Sequence, residues 1–196
     1  MPGYDTPAQG AAPVKILIAG GFGVGKTTLV ETVSEIEPLR TEERLTSAGI
    51  GVDDLDGIES KTLTTVAMDF GRITLTDAQV VLYLFGTPGQ ERFWFMWDDL
   101  LNGALGAIVL VDTRRLDRSF PAVDFFENRG LPFIVGANCF HGEKPYTAQE
   151  IGAALHLRDP DTPILMLDAR SRDDVRGALL SLLDRLIAKA ETAVTA

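Results

Sequence analysis

The 196-residue sequence predicts an α/β fold: a six-stranded, mostly parallel sheet with one antiparallel hairpin, covered by helices on both faces. Three observations predict it. Short apolar runs rich in β-branched residues alternate with helical patterns over most of the chain. Two of these runs, VAMDFGRITL and QVVLYLFG, are separated only by Thr76, Asp77 and Ala78, which forces an antiparallel hairpin. The other runs are joined through helical stretches, and such connections make parallel neighbours.

The elements follow in order. VKILIAG (14–20) is a buried strand by length and branching, and GKTTLVETVSEI (25–36) has helical spacing. Residues 37–65 are polar and acidic, without a clear period, and read as a long loop with room for one short helix. The hairpin comes next. ERFWFMWDDLLNG reads as a helix stopped at Gly103. ALGAIVLVD (104–112) is a strand, and LDRSFPAVDFFENRG is a helix broken or started late by Pro121. LPFIVGAN (131–138) is a strand, TAQEIGAALHL a helix, and TPILMLDA (162–169) the last strand. SRDDVRGALLSLLDRLIAKA is a long amphipathic helix opened by a serine cap. Residues 1–13 read as a flexible tail and 14–190 as a single domain.

Composition narrows the function. The chain carries 18 basic and 28 acidic residues, a formal net charge of −10. No basic stripe is present, which argues against direct binding to nucleic acid or to an anionic membrane. A single cysteine, Cys139, excludes an internal disulfide and fits a reducing, cytoplasmic setting. The start has neither a basic nor an apolar signal region, no run is long enough to cross a bilayer, and no lipidation signal is visible. Any membrane association is therefore expected through a partner.

The chemistry is concentrated in GGFGVGKT (20–27), which matches G-x-x-x-x-G-K-[ST] between a strand and a helix. Glycines let backbone N–H groups wrap phosphates, and the helix N-terminus adds its positive dipole end. Lys26 is placed to reach the β- and γ-phosphates, and the Thr27 hydroxyl to ligate Mg²⁺. Gly20, Phe22, Gly23, Val24, Gly25, Lys26, Thr27 and Thr28 make up the predicted nucleotide-binding stretch, with Thr28 mainly structural.

GGFGVGKTT, TVAMDF (65–70), FGTPGQERF (85–93), AN (137–138) and DAR (168–170) stand in the order found in Ras-like small GTPases. The chain resembles that family over residues 14–188. The PG of TPGQ and the stretch DTRRLDRS resemble its bacterial members: gliding-motility GTPases and, more closely, the small GTPases of actinobacterial conservon operons. The resemblance implies a three-layer P-loop NTPase of Ras-like fold. It implies GTP/GDP and Mg²⁺ as ligands, GTP hydrolysis, and signalling with a Roadblock-type protein or a sensor-kinase complex. By resemblance, Thr65 meets Mg²⁺ and the γ-phosphate, and Gly89 offers its N–H to that phosphate. Gln90 orients the attacking water, so the implied catalytic set is Gln90, Thr65 and Lys26. Thr27 and Thr65 are the implied metal ligands. Asn138, His141, Ala169 and Arg170 occupy the base-binding stretches, with the Ala169 N–H implied to meet the guanine oxygen.

Three positions depart from the family pattern. Gly86 stands where the family carries an Asp that holds a magnesium-bound water, a loss typically worth about 10–100-fold in metal affinity or activity. Asp69, on the preceding strand, either replaces it or is an ordinary strand-face carboxylate, the default for such a residue. Phe22 stands where the family often has Gly. A bulky group there can obstruct the attacking water, Gln90 or an incoming arginine, which predicts slow intrinsic hydrolysis; the alternative is a side chain that packs outward and changes nothing. His141 replaces an Asp that accepts two hydrogen bonds from guanine. A neutral imidazole accepts at most one, so guanine preference is expected to fall by roughly ten- to a hundredfold. Phe140 offers a ring for the base to stack on.

FWFMW (93–97) follows Gln90 directly. Five consecutive large apolar residues cannot all face the core from one helix, and an effector surface is expected around Phe93, Trp94 and Trp97; the alternative is that the run packs under the 37–65 loop. Arg92 reads either as an internal transition-state arginine or, the default, as a solvated helix charge. Two other function classes stay open: a degenerate GTPase serving as a binding scaffold, and a P-loop ATPase using Asp112 as its acid. The simpler reading of Asp112 is a cap after a strand.

Overall fold

The structure, a computed structural model, describes residues 10–37, 39–45, 64–142 and 145–195. It has seven strands: β1 (Ala12–Gly20), β2 (Leu39–Leu45), β3 (Thr64–Leu75), β4 (Val80–Gly86), β5 (Ala104–Val111), β6 (Phe133–Asn138) and β7 (Ile164–Leu167). They form one sheet in the order β2-β3-β4-β1-β5-β6-β7. The α/β class and the six predicted strands are all present. The seventh, β2, falls in the stretch 37–65 that was expected to be a loop. It pairs antiparallel with β3, so antiparallel pairing occurs twice rather than once. β2 reads LRTEERL and lies at the sheet edge, where charged residues are common because they discourage further pairing. Its alternation is too polar to stand out from a loop. The central part of the predicted loop, 46–63, and most of the predicted N-terminal tail, 1–9, lie outside the described residues.

Among the described residues five α-helices accompany the sheet: α1 (Lys26–Val33), α2 (Trp97–Leu101), α3 (Phe120–Arg129), α4 (Ala148–Leu155) and α5 (Arg172–Thr195). The period-two alternation of strand residues divides the core into two layers. Ile16, Ile18, Leu84 and Ile108 meet Leu29 and Val33 of α1 and Val175 and Leu182 of α5. Leu17, Ala19, Val109 and Val135 meet Trp97, Phe126, Ile151 and Leu155 on the other face. No helix among the described residues is long and apolar enough to cross a membrane.

Local chemistry sets the helix ends. Thr147 and Glu150 form a reciprocal capping box at α4. The Ser171 hydroxyl accepts from the Asp174 N–H at the start of α5. Pro121 occupies the first turn of α3, where its missing N–H costs nothing. The predicted helix at 91–103 is only partly α-helical. Glu91–Met96 is a 3-10 turn, and α2 begins at Trp97.

Candidate nucleotide-binding site

β1 ends at Gly20 in the middle of the sheet, and α1 starts at Lys26. Ligands of open α/β sheets bind beyond the carboxyl ends of the strands, where this turn lies. Gly20, Gly23 and Gly25 have φ of 135°, 76° and 107°. Those left-handed values are costly for any residue with a Cβ, and they curl the loop into an anion-cradling form. Gly25 caps α1 without a side-chain hydrogen bond, so the N–H groups of its first turn are open to a ligand. Phe22 is 62% exposed and points away from the core.

Lys26 is buried, and its Nζ donates to the carbonyls of Gly20 at 2.8 Å and Gly21 at 2.9 Å. Burial lowers its pKa from 10.5 to about 8, while the charge of Asp69 acts in the opposite direction. Gly89, from the loop after β4, closes over this ammonium. A Cβ on Gly89 would lie 2.6 Å from Lys26 Nζ and 2.9 Å from the Phe22 amide nitrogen. Only a glycine lets the TPGQ backbone approach the phosphate loop this closely. Gln90 follows at the edge of a cavity of about 460 Å³ that Gly21, Phe22, Gly89, Trp94 and Arg118 also line.

Asp69 occupies the ground left by Gly86. The two residues face each other in the β3–β4 ladder, and a Cβ on Gly86 would stand 2.9 Å from Asp69 Oδ2. Asp69 is buried and accepts a 2.7 Å hydrogen bond from the Thr27 hydroxyl. It is therefore not an ordinary strand-face carboxylate. A hydroxyl and a carboxylate meeting at the start of α1 form a hard-oxygen donor pair, the kind that suits Mg²⁺. The residues fit the metal that the phosphate loop calls for. Thr65 lies on the same strand as Asp69. It is a strand residue of β3, opposite Arg44 of β2. It lies four positions before Asp69, about 13 Å along a strand.

On the base side, one buried amide ties three loops together. Asn138 Nδ2 donates to the Val24 carbonyl at 2.8 Å, and its Oδ1 accepts from the Ala169 N–H at 3.1 Å. The Ala169 N–H is therefore engaged inside the protein rather than held out for a guanine oxygen. Arg170 is likewise committed, donating through Nε at 2.9 Å and Nη2 at 2.7 Å to the Asp168 carboxylate. His141 lies in the 3-10 turn Phe140–Gly142, and Phe140 has the Arg114 guanidinium 4.1 Å from its ring centre. One face of that ring is thus already covered.

Asp112 caps the turn after β5, as its simpler sequence reading has it. Its Oδ1 accepts from the Arg114 N–H at 3.0 Å and from Arg114 Nε at 2.9 Å. Arg115 reaches its Oδ2 at 3.4 Å. The hydrogen bonds from Arg114 hold this carboxyl below the usual Asp range. Spent on two arginines, Asp112 is not available as the acid of an ATPase.

The aromatic run needs the largest revision. Phe93 is 5% and Trp97 3% exposed, so both are core residues rather than effector surface. Trp97 packs against Phe125 and Phe126 of α3 and donates from Nε1 to the Pro88 carbonyl at 3.1 Å. Trp94 is half-buried beside it, and Phe95, 63% exposed, is the residue that faces outward. The three-residue turn of the 3-10 segment, rather than a continuous α-helix, sorts these side chains.

A phosphate loop with a buried lysine, a Thr–Asp pair behind it and a glycine loop closing over it define a P-loop nucleoside-triphosphatase fold of the small-GTPase type. The chain belongs to the family described as "conserved hypothetical ATP binding protein", whose model matches residues 18–189. It is 30% identical over 127 residues to an uncharacterised protein of Methanocaldococcus jannaschii, covering 64% of this chain and 69% of that one. It is 29% identical over 150 residues to human Ras-related protein Rab-7b, covering 76% of this chain and 63% of the relative. Among solved structures, the cytosolic domain of the Thermotoga maritima FeoB iron transporter in a GDP form superposes with a TM-score of 0.61. That match has 16% identity and covers 88% of this chain and 63% of the other, a likeness of fold alone. The chain thus spans just under two thirds of Rab-7b and of the FeoB domain.

Proposed function

We propose that this protein is a nucleotide-dependent switch that binds GTP and GDP with Mg²⁺ and hydrolyses GTP slowly. The single observation that carries this reading is the convergence of Lys26, Thr27 and Asp69 beneath Gly89. Lys26 takes the β- and γ-phosphates by exchanging its bonds to the Gly20 and Gly21 carbonyls for phosphate oxygens. Thr27 and Asp69 hold the metal, which supplies positive charge to the β- and γ-phosphates. Gly89 and Gln90 sense the γ-phosphate from the opposite side. Pro88, joined to Trp97, passes that contact to α3, so the phosphate state is read by the elements that carry Trp94 and Phe95.

Guanine is favoured by the relatedness to Rab proteins, while the family description favours adenine. The engagement of Asp112 by two arginines weighs against an ATPase that uses it. A Roadblock-type protein or sensor-kinase complex is the proposed partner, docking on the exposed Phe95 with Phe22 and the edge of Trp94 in place of Phe93 and Trp97. The protein works in the cytoplasm and reaches a membrane only through that partner.

Equilibrium binding of fluorescent GTP, GDP and ATP analogues, with and without Mg²⁺ and alongside Lys26→Ala, tests the reading. Guanine-selective, Mg²⁺-assisted binding that disappears in the variant supports it. Adenine selectivity would move the protein to the ATP-binding reading. No binding at all would leave a scaffold built on a retired site.

A further inference from the structure

The connection between β5 and α3 carries three arginines within five residues, and they are not equivalent. Arg114 and Arg115 are both bound by Asp112. Arg118 has no hydrogen bond or ion pair among the described residues. Its backbone and Cβ press against the phosphate loop: a Cβ on Gly21 would lie 3.1 Å from Arg118 Cβ. The residue lines the cavity of about 460 Å³ together with Phe22, Gly89, Gln90 and Asp117. The Asp112 cap and Pro121 fix the backbone on either side. The result is an arginine without a partner among the described residues, on a fixed backbone, lining the same cavity as the two residues assigned to the γ-phosphate.

We propose that Arg118 is an internal arginine for the hydrolysis step, meeting the γ-phosphate as charge develops there. This rests on the nucleotide-switch reading above. In the reaction, the oxygen of a water held by Gln90 forms a bond to the γ-phosphorus. The bond from that phosphorus to the β–γ bridging oxygen breaks, and its electron pair stays on the β-phosphate. The water's proton passes to the departing phosphate, giving GDP and inorganic phosphate. Arg118 neither gains nor loses a proton. It supplies positive charge where negative charge accumulates, a role for which an arginine carries more weight in the transition state than in the bound substrate.

Single-turnover hydrolysis of GTP by the purified full chain, with Arg118→Ala, Arg118→Lys and Arg92→Ala, tests this. GDP binding and capture of GDP with aluminium fluoride, which mimics the transferring phosphoryl group, are measured on the same samples. Arg118→Ala is expected to slow hydrolysis at least about 100-fold and to lose aluminium fluoride capture. GDP affinity should stay within about threefold, because that charge is used after binding. Arg118→Lys should recover only part of the rate, since an ammonium lacks the planar fork. Arg118→Ala hydrolysing within about twofold of the parent overturns the proposal, as does a loss seen only in Arg92→Ala. A parent chain that binds GDP but neither turns over GTP nor captures aluminium fluoride also overturns it, while leaving nucleotide binding intact. Failure of the parent to bind GDP removes both readings together.

Discussion

The Thr27 hydroxyl donates a 2.7 Å hydrogen bond to Asp69 Oδ2, and Asp69 stands opposite Gly86 in the β3–β4 ladder. The acid missing from β4 is thus present one strand over, at the same height in the sheet. Asp69→Asn keeps the shape but removes the charge. It should weaken Mg²⁺ binding to the nucleotide complex about 10–100-fold and leave metal-free nucleotide binding nearly unchanged. A Mg²⁺ titration of a fluorescent GDP complex measures both. An unchanged Mg²⁺ midpoint would show that Asp69 is a structural acceptor for Thr27 and nothing more.

The same geometry makes positions 69 and 86 mutually exclusive. Gly86→Asp drives a side chain into the Asp69 carboxylate, since even the Cβ would lie 2.9 Å from Oδ2. Overpacking costs about 1–3 kcal/mol, with like-charge repulsion in addition. The thermal midpoint should fall. Combining Gly86→Asp with Asp69→Gly moves the acid back to β4 and should recover stability and Mg²⁺ affinity together. Purely additive losses in the double variant would break the proposed exchange.

The sequence made some of this legible and hid the rest for physical reasons. The phosphate loop is a local signal: its glycines, lysine and threonine are adjacent in the chain and fixed by backbone conformation. The parallel core is equally local, because apolar period and run length follow from burial. Asp69 is different. Its importance depends on the register between β3 and β4, and pairing two strands through a short turn does not by itself reveal which residues face each other. The edge strand β2 was hidden by its charges. Phe93 and Trp97 were misplaced because an α-helical period was assumed where a 3-10 turn sorts the aromatics. Arg118 carried no sequence signal apart from its neighbours; its distinction is that Asp112 holds the other two.

The aromatic run separates stability from recognition. Trp97 fills the layer between the sheet and α3, so Trp97→Ala should cost about 3–5 kcal/mol in urea denaturation. Trp97→Phe keeps most of that packing but leaves the Pro88 carbonyl without its donor, which should cost about 1–3 kcal/mol. Phe95→Ser, at an exposed site, should change stability by no more than about 0.5 kcal/mol. If Phe95→Ser unfolds the chain as readily as Trp97→Ala, the assignment of inward and outward faces is wrong.

Asn138 gives a second test of how the loops are held. Asn138→Ala removes both the donor to Val24 and the acceptor from Ala169, leaving two buried backbone groups unpaired. Each such group costs about 1–3 kcal/mol, so the variant should be markedly less stable and bind nucleotide weakly even if it never touched the base. Asn138→Asp keeps the acceptor for the Ala169 N–H but turns the other oxygen toward a carbonyl, so it should not rescue. Full rescue by Asp would mean that the Val24 contact carries no weight.

Lys26 makes the site pH-dependent in a definite direction. Its folded pKa, about 8, lies below the ordinary 10.5 because burial disfavours the ammonium. Below about pH 8 both folded and unfolded chains carry the proton, and the burial cost is felt in full. Between the two values the unfolded chain binds more protons, so this residue's destabilising effect is relieved as pH rises. Lys26→Met has no such group and, without nucleotide, should be more stable than the parent near neutral pH. The gap should narrow as pH climbs through that window, as read from denaturant midpoints at about pH 7 and about pH 9.5. Nucleotide reverses the electrostatics, because phosphate oxygens stabilise the ammonium and raise its pKa. Binding above pH 8 therefore takes up a proton, and affinity should fall by up to about tenfold per pH unit there. Calorimetry in buffers of different ionisation enthalpy detects that uptake directly. A binding enthalpy independent of buffer at about pH 9 would mean that Lys26 keeps its charge through the free state, and that burial does not govern it.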